Sequence, residues 1–213
     1  MTQLANEKTG KEKRTLVQWL FNPFKFIAGY QALLIGLAAI ILTSLLGSLS
    51  NTHFDGVLDV HTGLQSPLWI FLCEGLINWI SLAVPLLLLG LIASRSSFRT
   101  IDIVGTQALA RWPYLVTAIA MLPAANRKVL EYLISQYTQG QTVTSLAPTD
   151  IAIFAVAILL TILMLIWMVA LMYRAYTVSC NIKGPKAIVT FIIGLIGAEV
   201  ISKIAILALF RTL

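Results

Sequence analysis

Five stretches of about twenty residues or more, each dominated by Leu, Ile, Val, Ala and Phe, leave this 213-residue chain little choice of fold. A helix rises 1.5 Å per residue, so about 20 residues reach across the roughly 30 Å hydrocarbon core of a bilayer. Inside that core a chain must satisfy its own backbone, which restricts spanning segments to helices and closed barrels. The runs are long and lack period-two alternation, so they read as helices. They cover about residues 29–49, 67–93, 101–122, 151–173 and 187–210. Composition agrees, with 58% hydrophobic and 11% charged residues, against roughly 25% charged in soluble domains. The expected fold class is all-α, a polytopic membrane helical bundle of five transmembrane helices over residues 29–213. The expected location is integral and multi-pass, in the cell or inner membrane if the source is bacterial, with the lipid bilayer as first partner.

Residues 1–28 are expected to form a cytoplasmic N-terminal tail that ends in an interfacial amphipathic segment. Its first 14 residues are polar, with the character of disorder. In the next 14, Trp19, Phe21, Phe24 and Lys25 are anchors suited to a membrane surface, and Asn22-Pro23 interrupts the run. Between the third and fourth runs, Val129, Leu130, Leu133, Ile134 and Tyr137 keep helical spacing, and a Gly/Gln/Thr/Ser-rich loop follows.

The net charge of +6 does not point to nucleic acid, because the basic residues sit in short stretches between apolar runs. Lys and Arg accumulate on the cytoplasmic side. With the N-terminus inside and the C-terminus outside, the inner segments hold Lys8, Lys11, Lys13, Arg14, Lys25, Arg95, Arg99, Arg174, Lys183 and Lys186. The outer segments hold only Arg127, Lys128 and Arg211.

Three stretches carry a resemblance to a known family: Asn22-Pro23-Phe24 ahead of the first span, the run Phe54-Asp55-Gly56-Val57-Leu58-Asp59, and FRTIDIVGTQALARWPY from Phe98 to Tyr114. The chain resembles the Yip domain family of Ypt/Rab-interacting-type membrane proteins, and more closely its bacterial branch, over about residues 20–210. The resemblance implies five spans with the N-terminus cytoplasmic and the C-terminus outside. It also implies a non-enzymatic role in membrane organisation or partner binding, with other membrane proteins or a second copy of the chain as partners.

Ionisable residues within the spans are the strongest candidates for function, since each costs about 2.5–3.5 kcal/mol at a helix centre. Counting 1.5 Å per residue, Glu74 lies about 10 Å from the outer face, and Arg111 and Glu199 about 15 and 18 Å from the inner face. These depths overlap near the midplane, so Arg111 is expected to pair with Glu74, Glu199 or both. Lys203 stands one turn beyond Glu199 in the favourable order for an i,i+4 pair. The cluster Glu74, Arg111, Glu199 and Lys203 suits a structural staple or a polar pathway. Pro113 is expected to free the carbonyl of Leu109 and kink the third span. Thr100 is a candidate cap of that span, with Asp102 as the acidic residue at its start.

A second constellation, His53, Asp55, Asp59 and His61, falls in the loop between the first two spans. Two imidazoles and two carboxylates offer ligands for zinc or a similar cation, although Asp and Gly are ordinary loop residues. No phosphate loop, HExxH or G-x-S-x-G is present, and both histidines lie in one loop, away from Ser or Cys nucleophiles. The reading is therefore a non-enzyme without a cofactor. Its alternative is a small permease, channel or transporter subunit that uses the intramembrane Glu/Arg/Lys cluster.

Overall fold

The computed structural model describes residues 16–63, 65–138 and 146–211. Most of the polar tail and most of the Gly/Gln/Thr-rich loop (139–145) lie outside them. The described chain is helical apart from one two-stranded hairpin. Helix α1 (Leu16–Phe21) and a 3-10 turn (Pro23–Lys25) lead into α2 (Gly29–Ser50). Strands β1 (Thr52–His53) and β2 (His61–Thr62) follow, then α3 (Leu68–Ala93), α4 (Thr100–Leu109), α5 (Pro113–Met121) and α6 (Ala124–Thr138). Helices α7 (Pro148–Ser179) and α8 (Pro185–Phe210) complete the chain.

Helices α2, α3, α7 and α8 are each long and apolar enough to cross a membrane, and α4, α5 and the bent α6 add a fifth crossing if counted as one. α3 runs unbroken through Pro85. The third expected span is not one continuous helix. It divides at Ala110–Trp112, where Arg111 N–H donates to Ala108 and Trp112 N–H to Leu109 in tight i→i+3 bonds. Pro113 is the cause, for it lacks an N–H and its ring crowds the preceding turn. The carbonyl of Leu109 is not left free by this break, because Trp112 N–H takes it at 3.2 Å. Pro123 makes a second break, after which α6 departs at 79°.

Small residues bring the centre of the bundle together. Ala32 and Gly36 face α4, and the backbone of Ala108 and Leu109 stands where a Cβ on Gly36 would be. The pair Gly194 and Ala198 brings α8 onto α3, with Gly194 against Leu86. Close approach of this kind replaces the hydrophobic effect as the adhesive between helices in lipid. The polar residues of α4 are shielded here. Thr106 is hydrogen-bonded to Ser179 at 2.8 Å, and Gln107 donates to the Met172 carbonyl at 3.1 Å. By contrast, from Ile151 to Trp167 only Ala157 of α7 is buried. The N-terminal segment rests on this helix, with the Trp167 indole donating to the Leu20 carbonyl at 3.2 Å.

Gly36→Val forces α2 and α4 apart and costs roughly 1–3 kcal/mol, the usual penalty of overpacking, read as a lower thermal midpoint of helical circular dichroism in detergent. Gly197→Val, at a position with open space around its Cβ, leaves that midpoint unchanged.

Candidate functional site

The hairpin does not project into solvent. It turns into the bundle, with Thr52, His53, Phe54, Gly56 and Val57 all buried. A buried backbone must find partners for its N–H and C=O groups, and the polar side chains of three helices supply them. On α3, Glu74 and Asn78 lie one turn apart and hold Phe54 from both sides. Glu74 Oε2 accepts its N–H at 3.3 Å, and Asn78 donates to its carbonyl. Val57 donates its N–H to Ser202 Oγ on α8 at 3.3 Å, and its carbonyl receives Tyr114 OH at 3.1 Å and Arg111 Nη1 at 3.5 Å. Leu58 N–H donates to Glu199 Oε2 at 2.8 Å.

The two constellations read separately in the sequence are therefore one site. Glu74 also receives His53 Nδ1 at 2.7 Å in a fully buried pair. Lys203 reaches Asp55 at 3.2 Å and also bonds Asp59. The expected ion pairs within the spans do not form: among the described residues Arg111 makes no ion pair with Glu74 or Glu199, and Lys203 makes none with Glu199. Helical depth alone put these groups at one level, and the hairpin that enters between them takes their polar atoms. Arg111 packs over the ring of Tyr114, 5.2 Å from its centroid, and Tyr114 in turn packs on Phe54.

Of the four candidate metal ligands, Asp55, Asp59 and His61 converge, with ligand atoms within 4.8 Å of one another. His53 Nδ1 is turned instead toward Glu74, and its ring stacks on Phe71 at 4.4 Å. A cation entering this cluster would have to displace the ammonium of Lys203, which already bridges both carboxylates. Glu199 and Lys203 pack directly on Gly56, where a Cβ would stand 2.6 Å from Glu199 Oε1 and 3.1 Å from Lys203 Cε.

Comparison of the chain with protein-family models, with curated proteins and with solved structures gives no match.

Asp102 lies apart from this site, at the opposite end of the bundle, where Arg99 holds it through bonds of 2.8 and 2.9 Å. Arg99 rather than Thr100 occupies the cap position of α4, and it makes no side-chain cap bond. Asn78, Tyr114 and Ser202 were not singled out in the sequence. Each stands three or four residues from a charged residue already identified (Glu74, Arg111 and Glu199), which is the spacing that places side chains on one helical face.

The loop carboxyl of Asp55 is raised by partial burial, but His61 and then Lys203 outweigh this and hold it down at about 2. The hydrogen bond to Asp55 pushes His61 above its ordinary 6.5 against desolvation. The contribution of His61 to the docked loop is thus complete below pH 6.5 and is lost as pH rises through its folded value. That of Asp55 is complete above pH 3.8 and is lost as pH falls toward 2. By NMR, the His61 ring is expected to titrate above 6.5 and to move back toward that value in Asp55→Asn. A midpoint unmoved by the substitution would remove Asp55 as the cause.

Proposed function

We propose that the chain is a five-span, non-enzymatic membrane protein of the Yip type, with its N-terminus in the cytoplasm and its C-terminus outside. On this reading it acts in membrane organisation or partner binding. The observation that carries the reading is the commitment of the intramembrane ionisable cluster to a loop of the same chain. Glu74, Glu199, Arg111 and Lys203 all bond to residues 53–59. Polar side chains used this way hold a rigid hairpin at one end of the bundle. They are not arranged along a path for a solute. Five crossings are supported by the length and mean apolarity of four helices together with the α4–α6 unit, and the orientation by the distribution of Lys and Arg.

The alternative, a permease or channel subunit, draws on the same cluster. The cavity that Arg111 borders, among Thr43, Ser44, Phe54 and Tyr114, measures about 10 Å³, room for about one water molecule. That fits a sealed anchor better than a conduit.

Reconstitution in liposomes separates the two readings. The expected result is that wild-type protein passes no ions or small polar solutes, and that the same is true of Glu74→Gln and Arg111→Gln. A flux present in the wild type and abolished in both variants, with their helical content intact, would overturn the anchoring reading in favour of transport.

A further inference from the structure

Outside the hairpin seat, a cleft of about 410 Å³ lies between α6 and the facing wall formed by the end of α2 and β2. That volume lies in the range of small-molecule sites. Met121, Leu130 and Ile134 supply its apolar lining, and the buried Asn126 with the exposed Arg127 and Glu131 supply its polar lining. Three observations bear on what it takes. The first is position. α6 leaves the α4–α5 axis at 79°, so it crosses the end of the bundle, and the cleft opens at the level where α2 and α5 end. On the proposed five-span reading, with α4 and α5 making the third crossing, this level is the headgroup layer. The second is charge. Arg127 and Glu131 stand one helical turn apart, with Nε and Oε1 at 3.6 Å and both side chains about two-thirds exposed. Such a pair is worth little to stability, so a ligand can part it at small cost. The third is an unmet acceptor. Asn126 is buried, donates to the Ala120 carbonyl at 2.9 Å, and has an Oδ1 with no hydrogen-bond partner among the described residues.

We infer that this cleft binds the headgroup of a zwitterionic phospholipid of the phosphoethanolamine type. Arg127 takes the phosphate, for which a guanidinium is the matched donor. Glu131 takes the primary ammonium, whose three N–H donors it can accept. The phosphate and ammonium of this headgroup are joined by two carbons, so one headgroup can reach a cation and an anion that are four residues, about 6 Å, apart along a helix. Asn126 Oδ1 offers the ligand a further buried acceptor. The apolar lining of Met121, Leu130 and Ile134 receives the first carbons of the acyl chains, which a soluble phosphoethanolamine lacks. Phosphocholine presents methyl groups in place of N–H donors, so it leaves Glu131 without hydrogen bonds and is the discriminating analogue.

The test uses the full chain, purified in detergent and delipidated, with dioleoyl phosphatidylethanolamine, the matching phosphatidylcholine and soluble phosphoethanolamine as probes. Retention is read by native mass spectrometry. The ethanolamine lipid is expected to be retained at least tenfold more strongly than the choline lipid, and soluble phosphoethanolamine is not expected to bind. Glu131→Gln should abolish the preference between the lipids, and Arg127→Gln should weaken both. Both residues are exposed, so the variants are expected to keep the wild-type thermal midpoint. Equal retention of the two lipids, or an Arg127→Gln/Glu131→Gln double variant that binds as the wild type does, would overturn the proposal. Binding of soluble phosphoethanolamine as tight as that of the lipid would overturn the assignment to a lipid.

Discussion

A polypeptide backbone that enters a membrane bundle without being a helix or part of a closed barrel must have its polar groups met by side chains. In this protein that requirement falls on Phe54, Val57 and Leu58, and the rest of the site follows from it. Glu74 and Asn78 act on Phe54 as a neighbouring strand would, one as acceptor and one as donor. Ser202, Tyr114 and Arg111 do the same for Val57, and Glu199 for Leu58. The broken turn at Ala110–Trp112 carries Arg111 at its centre, and Tyr114 follows in the first turn of α5. Lys203 then bonds the two loop aspartates that flank this backbone.

The magnitudes explain why such costly residues are tolerated in the spans. Each charged group costs about 2.5–3.5 kcal/mol at the centre of an isolated span. A hydrogen bond to a charged group contributes about 1.5–3 kcal/mol, so Glu74, with bonds to both His53 and Phe54, offsets much of its own burial. The converse also holds. With the carboxylate of Glu199 removed, the N–H of Leu58 is left buried and unpaired, at a cost of about 1–3 kcal/mol. The hairpin also has an architectural effect. It bonds to α3, α5 and α8 at once, and so ties together helices from both halves of the chain.

Much of this was legible in the sequence and some was not. The apolar runs marked α2, α3, α7 and α8 because span length and hydropathy are local properties. Ala32 with Gly36, and Gly194 with Ala198, are small residues four apart that share a face, which is a spacing a sequence displays directly. Pro113 marked the break that precedes α5. The depth argument put Glu74, Arg111 and Glu199 at one level and assigned them to one another. Apart from the His53 ring on Glu74, their partners are backbone groups in a loop that reads as polar and solvated, and backbone groups leave no trace in composition. The convergence of Lys203 with Asp55 and Asp59 was hidden for the same reason, since nearly 150 residues separate them along the chain. The i+3 and i+4 companions Asn78, Tyr114 and Ser202 were the one available clue that each charged residue belonged to a wider polar face.

Amide hydrogen exchange at Val57 and Leu58 tests the docked hairpin most directly. In the wild-type protein these two amides are predicted to exchange as slowly as the helical amides of α3. In Glu199→Ala, Leu58 is predicted to exchange roughly 5- to 150-fold faster, the equivalent of about 1–3 kcal/mol. Exchange of both amides at the rate of an open loop in the wild type would contradict the account, because the polar residues of the spans would then have no backbone to hold.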